Sequence, residues 1–207
     1  MQRVTIRPAT DADAVAIAKI IHADDDPKSG LLTHGEPSPW ARRDAVRRLN
    51  RSVVAESGGR VVGVLEYECV RRGGRRPIVK LWRNLRAFGV VESVRAARQL
   101  WIRSKVALPV PDDALHLAEL DVAPEQRNQG IGAQLLDWAE AEARRRQRGC
   151  LSLITHSENP AIRLYSRKGF VVEATVTHKR YEKRTGSRAR VLMQKPLRAM
   201  GYSSIHP

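Results

Sequence analysis

Apolar positions recur in twos over some stretches and in threes and fours over others, and the switches between these periods mark out the elements. Val4-Thr5-Ile6-Arg7 alternates like a short strand, which Pro8 closes because proline lacks an amide donor and biases its predecessor toward extended geometry. A helix follows, capped by Thr10 or Asp11, with Val15, Ile17, Ala18 and Ile21 on its apolar face, fading at Asp24-Asp25-Asp26-Pro27. The Gly-, Pro- and Ser-rich stretch 29–39 reads as a loop, and 40–49 as a short basic helix. Two β-branched runs, 52–56 and 60–70, meet at Ser57-Gly58-Gly59 and predict a hairpin.

Beyond the hairpin the texture changes. Residues 71–113 carry Leu81, Trp82, Leu85, Phe88 and Trp101 at mixed helical spacings among many arginines, and predict an inserted helical hairpin before the fourth strand. Residues 115–122 return to a strand. Gly130 opens a helix with the stripe Ile131, Leu135, Leu136, Ala139 and Ala143, whose charge order suits the helix dipole and which Gly149 is placed to stop. A buried strand (150–155), a helix (160–167) with Asn159 at its cap and Gly169 at its end, and two strands (170–177 and 190–193) around a charged loop complete the order. This is a mixed α/β architecture without internal repeats. It predicts one domain over residues 1–198, with 71–113 as the insertion and 199–207 as a flexible tail.

Composition narrows the picture. Two cysteines, Cys69 and Cys150, have neither disulfide-scaffold nor metal-site spacing, so a reducing cytoplasm is the expected setting and no metal site emerges. No apolar run is long enough for a membrane span or signal peptide, so neither export nor membrane insertion is expected. The net charge of +15 would attract nucleic acid or another polyanion. That excess is mostly arginine scattered along the chain, and nucleic-acid binding is therefore the less favoured reading.

The chemistry concentrates between Glu119 and Gly132. There a strand ends, a glycine-containing turn follows and a helix begins, so that unpaired amides at the helix start, backed by its positive end, suit a phosphate or pyrophosphate. Arg127 could add a charge-assisted contact. An ordinary turn with a packing glycine has the same pattern.

Arg127, Gly130 and Gly132, preceded by Val122-Ala123-Pro124, match the signature of the GNAT superfamily of acyl-CoA N-acyltransferases: Arg or Gln, two variable residues, Gly, one variable residue, then Gly or Ala. A second element, with Asn159, Ala161, Tyr165, Gly169 and Phe170, also resembles that family. The resemblance covers the chain except 71–113 and the tail. It implies a mostly antiparallel central sheet flanked by helices, and an enzyme that transfers an acetyl group from acetyl-CoA to a primary amine, releasing coenzyme A.

Residue by residue, the resemblance assigns the pyrophosphate to the amides of Arg127, Asn128, Gln129, Gly130, Ile131 and Gly132. It assigns the pantetheine arm to Leu120, Asp121 and Val122 on one side and Asn159 on the other. Tyr165 resembles the residue that protonates the departing thiolate, which a phenol can do for a thiol. An amphipathic-helix tyrosine can equally be core, and Asn159 can be a helix cap alone. Attack needs a neutral amine, so a base must take a proton, and Glu119, late in the strand, is the candidate. Glu119 could instead bind a cationic acceptor or pair with an arginine. His116, Asp121 and His156 are weaker candidates.

The acceptor is expected to be a small-molecule or peptide amine. The insertion is expected to cover the acceptor site, with a homodimer contact or a membrane-surface helix as competing explanations. Two other functions remain: a CoA-binding regulatory module with weak turnover, and a basic nucleic-acid-associated acetyltransferase.

Overall fold

The computed structural model describes residues 4–23, 32–33, 36–69 and 107–197. The expected insertion up to residue 106 and the expected tail lie outside the described residues. The chain falls into two compact units: the described residues up to Cys69 with Ala114–Leu151 and 196–197, and residues 107–113 with Ser152–Lys195. Among the described residues no helix is long and apolar enough to cross a membrane.

In the first unit, four strands lie in the order β1 (Thr5–Pro8), β4 (Ser52–Ser57), β5 (Arg60–Cys69) and β6 (Ala114–Val122), each antiparallel to its neighbour. The β4–β5 hairpin turns at Gly58 and Gly59, both left-handed, which is why glycines stand there. The predicted loop before residue 39 contains a minimal hairpin, β2 (Leu32–Thr33) with β3 (Glu36–Pro37). Helix α1 (Ala14–Ile21) starts after a 3-10 turn held by Asp13, whose carboxylate accepts from the Thr10 amide and hydroxyl, each at 2.8 Å. Its buried face is Ala14, Ile17, Ala18 and Ile20; Val15, expected inside, is exposed. Helix α2 (Pro39–Arg48) is capped by Ser38, whose Oγ accepts from the Ala41 amide, with proline at the first turn. Ile17, Ala18, Ala45, Leu49, Val54 and Val64 form the core between these helices and one face of the sheet.

Helix α3 (Ile131–Arg145) buries the predicted stripe and also Glu142. Glu142 lies at the seam because Arg145 and Arg146 both bind it, at 2.7 and 2.6 Å. Gly149 does not stop this helix. The left-handed residue is Gln147, at φ 53°, and the Arg148 amide closes back on the Ala143 carbonyl at 2.9 Å.

Strand β7 (Cys150–His156) carries the chain into the second unit, where the strand order is β7, β9 (Ala189–Pro196), β8 (Val171–Thr177), with β8 and β9 antiparallel. Helix α4 (Ile162–Arg167) begins two residues later than predicted and is followed, after Lys168, by Gly169, whose φ of 85° favours glycine. The segment expected to be a charged loop contains helix α5 (Lys179–Thr185). Among the described side chains of that helix, Tyr181 is buried. The result is the expected mixed α/β fold of mostly antiparallel strands with flanking helices.

Candidate active site

The placement of Glu119 depends on a bulge. Glu66 pairs with Glu119, but the next residue, Tyr67, pairs with Leu117, so β6 carries one extra residue at Ala118. Because side chains alternate across a sheet, one extra residue flips the face of everything beyond it. Leu117 and Leu120 therefore share the face on which Tyr67 packs against Trp138 of α3, with ring centroids 5.4 Å apart. Glu119 and Asp121 turn to the opposite face, beneath α1 and α2. Unbroken alternation would have put Glu119 in line with Leu117, under α3. The same bulge brings His116, paired with Glu68, onto the Glu119 face, so the three polar candidates on this strand share one side.

On that side stands a charge cluster that the sequence did not reveal. Arg48, at the end of α2, contacts Glu66 at 2.7 Å and Asp44 at 2.7 Å, and lies 3.7 Å from Glu119. Arg51 holds the other Glu66 oxygen at 3.0 Å and reaches Glu68 at 3.4 Å. Glu66 is buried, whereas the Glu119 side chain keeps 38% of its surface. The Glu119 carboxyl is pushed above the ordinary carboxylate range, first by the desolvation of its packed surroundings and also by Glu66. Arg48, a hydrogen bond with Asp121 and His22 oppose that rise without cancelling it.

Past Val122 the chain forms the turn expected to hold an anion. Pro124–Gln126 makes a 3-10 turn, and Arg127 follows with its Nε donating to the Val122 carbonyl at 3.1 Å, which ties the turn to the strand end. Asn128 and Gly130 are left-handed, at φ 60° and 80°, and residues 127–130 are all exposed. Gly130 is the N-cap of α3 and offers no side chain, and no acidic residue sits in the first turn. Among the described residues no side-chain hydrogen bond caps the helix mouth, which leaves its positive end open to an anion. These residues fit an anionic group. Open glycine turn, flanking guanidinium and carboxylate-free first turn are what a diphosphate needs.

What seats this mouth near the strand end is Gly63, which sequence reading passed over. It pairs with Val122, and a Cβ built there would lie 3.2 Å from Ile131 Cγ2 and 3.3 Å from both Leu135 Cδ1 and the Asp121 carbonyl. A Cβ there would require these neighbours to give by a few tenths of an ångström, so glycine favours the close approach of α3 to β5.

In the second unit, the Asn159 carboxamide is engaged at both ends: its oxygen accepts from the Ala161 amide and its nitrogen donates to Thr155 Oγ1, each at 2.8 Å. It shapes the turn entering α4. Tyr165 is buried on α4 with its ring 6.0 Å from that of Phe170, and its carbonyl accepts from the Phe170 amide. His156 closes β7 and stacks on Tyr181, its Nδ1 2.9 Å from the phenol oxygen. Its pKa is lowered, first by desolvation and then by Arg190.

Comparison with curated proteins finds no match. Among solved structures, the chain is similar to arylalkylamine N-acetyltransferase 2 from Aedes aegypti, at 16% identity over 95% of this chain and 100% of that one, with a TM-score of 0.69. It is also similar to the ribosomal-protein-S18-alanine N-acetyltransferase from Escherichia coli (18% identity, 99% and 100% covered, TM-score 0.61). A third likeness is to the ribosomal-protein-alanine N-acetyltransferase from Brucella melitensis (24% identity, 93% and 99% covered, TM-score 0.59). These likenesses show the fold. Residues 48–172 match the family described as the acetyltransferase (GNAT) domain, a span that contains the bulged strand, the glycine turn and the uncapped helix mouth. The chain belongs to the GNAT acetyltransferase family.

Proposed function

We propose that this protein transfers an acetyl group from acetyl-CoA to a primary amine by direct attack on the thioester. The observation that carries the reading is the carboxylate-free, left-handed entrance to α3 directly after the strand that presents Glu119. When bound, acetyl-CoA supplies an acyl carbon activated by a thiol leaving group.

The residues of this chain do the rest. Main-chain donors at the Gly130–Gly132 turn hold the diphosphate, with the Arg127 guanidinium alongside. The end of β6, Leu120 to Val122, would supply backbone partners to the pantetheine arm, and the Val122 amide would stabilise negative charge developing on the thioester carbonyl oxygen. Glu119, with its raised pKa, takes a proton from the incoming ammonium, directly or through water, and so produces the neutral nucleophile. Tyr165 donates a proton to the departing sulfur, and Asn159 shapes the turn from which α4 starts. The acceptor is a small-molecule or peptide amine.

Release of free thiol, followed with acetyl-CoA across a panel of primary amines, tests this reading. Turnover with at least one amine, reduced about a hundredfold or more in Glu119→Gln, is the expected result. Coenzyme A binding with no thiol release from any amine would replace the enzyme by a regulatory CoA-binding module.

A further inference from the structure

Glu66 stands directly across the ladder from Glu119, two like charges on adjacent positions of neighbouring strands, an arrangement that is unfavourable by itself. It is tolerated because Glu66 holds two guanidiniums, Arg48 at 2.7 Å and Arg51 at 3.0 Å, while Asp44 fixes the other side of Arg48 at 2.7 Å. Glu119 is left with a contact of 3.7 Å to the same Arg48 nitrogen that touches Glu66. The Glu119 contact is the longer, 3.7 Å against 2.7 Å, and the nearer partner, Glu66, is almost fully buried, with 6% of its side-chain surface exposed.

We propose that Glu66 is a positioning residue for Glu119: it clamps Arg48 and Arg51 against β5, withholds Arg48 from the neighbouring carboxylate, and so keeps that carboxylate able to accept a proton. The proposal rests on the reading of Glu119 as the base. Its logic is competition. A general base held in a tight ion pair loses proton affinity, and a desolvated base with no cation beside it holds its proton more tightly. Here one arginine is shared unequally between two opposed carboxylates, which sets the intermediate condition.

Among the described residues, the titratable groups of this cluster are Arg48 and Asp44 of α2, Arg51 after it, His22 after α1, Glu66 and Glu68 of β5, and Asp121 and His116 on the strand of Glu119 itself. Two substitutions in this set give opposite signs. Glu66→Gln removes the competing carboxylate and its repulsion, frees Arg48 to close on Glu119, and lowers its pKa. Arg48→Gln removes the attraction and raises it.

The test is a carbon-13 NMR titration of the Glu119 carboxyl in the folded full-length chain, beside the pH profile of kcat/KM. The expected result is a downward shift of the Glu119 midpoint by about one pH unit in Glu66→Gln and an upward shift of similar size in Arg48→Gln. Midpoints that stay put, or that move in the same direction, overturn the proposal. Should Glu66→Gln fail to fold, Arg48→Gln decides alone, because an unmoved midpoint there means that Arg48 exerts no control. Shifts seen by NMR with an acid limb of kcat/KM that does not follow them leave Glu66 as the positioning residue but remove Glu119 as the base, so the two ideas fail separately.

Discussion

Gly63 and Ile131 are in such close approach that a Cβ on the strand residue would come within 3.2 Å of the helix residue's Cγ2. That contact brings the first turn of α3 close to the end of β6, beside the proposed anion-binding turn. Gly63→Val is expected to destabilise the fold by about 2 kcal/mol, the usual cost of overpacking a tight interface, as read in a urea titration. It should also weaken acetyl-CoA binding in the protein that remains folded. Unchanged stability and affinity would mean that α3 can move aside without consequence.

Asp13 gives the fold an acid-sensitive staple. Its carboxyl is held at about 2, first by the hydrogen bonds from Arg7, at 2.8 and 2.9 Å, and then by Thr10, against the opposing effect of burial. An ordinary aspartate titrates near ~3.9 in the unfolded chain. The folded value is the lower one, so the stabilisation is fully present above ~3.9 and is lost as pH falls toward about 2. Asp13→Asn should cost about 2 kcal/mol at neutral pH and flatten the stability curve across that acid window. A curve of unaltered slope would place the acid sensitivity elsewhere.

Tyr165 separates a proton donor from a packing residue. Its ring is buried against Phe170, and Tyr165→Phe keeps that contact while deleting the hydroxyl. Turnover is expected to fall about a hundredfold with acetyl-CoA affinity changed less than about twofold, a loss confined to the chemical step. Full turnover in Tyr165→Phe would leave the residue to the core.

The helices and strands most legible in the chain were those whose pattern is carried by side chains of one kind. The stripe Ile131, Leu135, Leu136, Ala139 and Ala143 repeats with helical period, and the structure buries all five. The turn at Gly130 was legible because glycine has few substitutes at a φ of 80°. Helix α5 was not, since Lys179–Thr185 offers Tyr181 and little other apolar surface from which a period can be read.

The stop of α3 was misplaced because Gln147, not the nearby Gly149, takes the left-handed position. The bulge at Ala118 leaves no mark in composition, yet it decides which face Glu119 occupies. The Arg48–Glu66–Glu119 cluster joins residues from α2, β5 and β6 that only the strand register brings together. Candidate chemistry could thus be named from the sequence, but the charge environment that tunes it could not.

The central claim is that the mouth of α3 holds the diphosphate of acetyl-CoA. Titration calorimetry on the folded full-length protein, with Gly130→Val in parallel, tests it most directly. A single saturable site in the unmodified chain is expected, weakened about tenfold in Gly130→Val, because a β-branched residue there costs about 1–2 kcal/mol in the left-handed region and distorts the turn. No binding heat from acetyl-CoA or coenzyme A, or equal affinity in both proteins, would contradict the account.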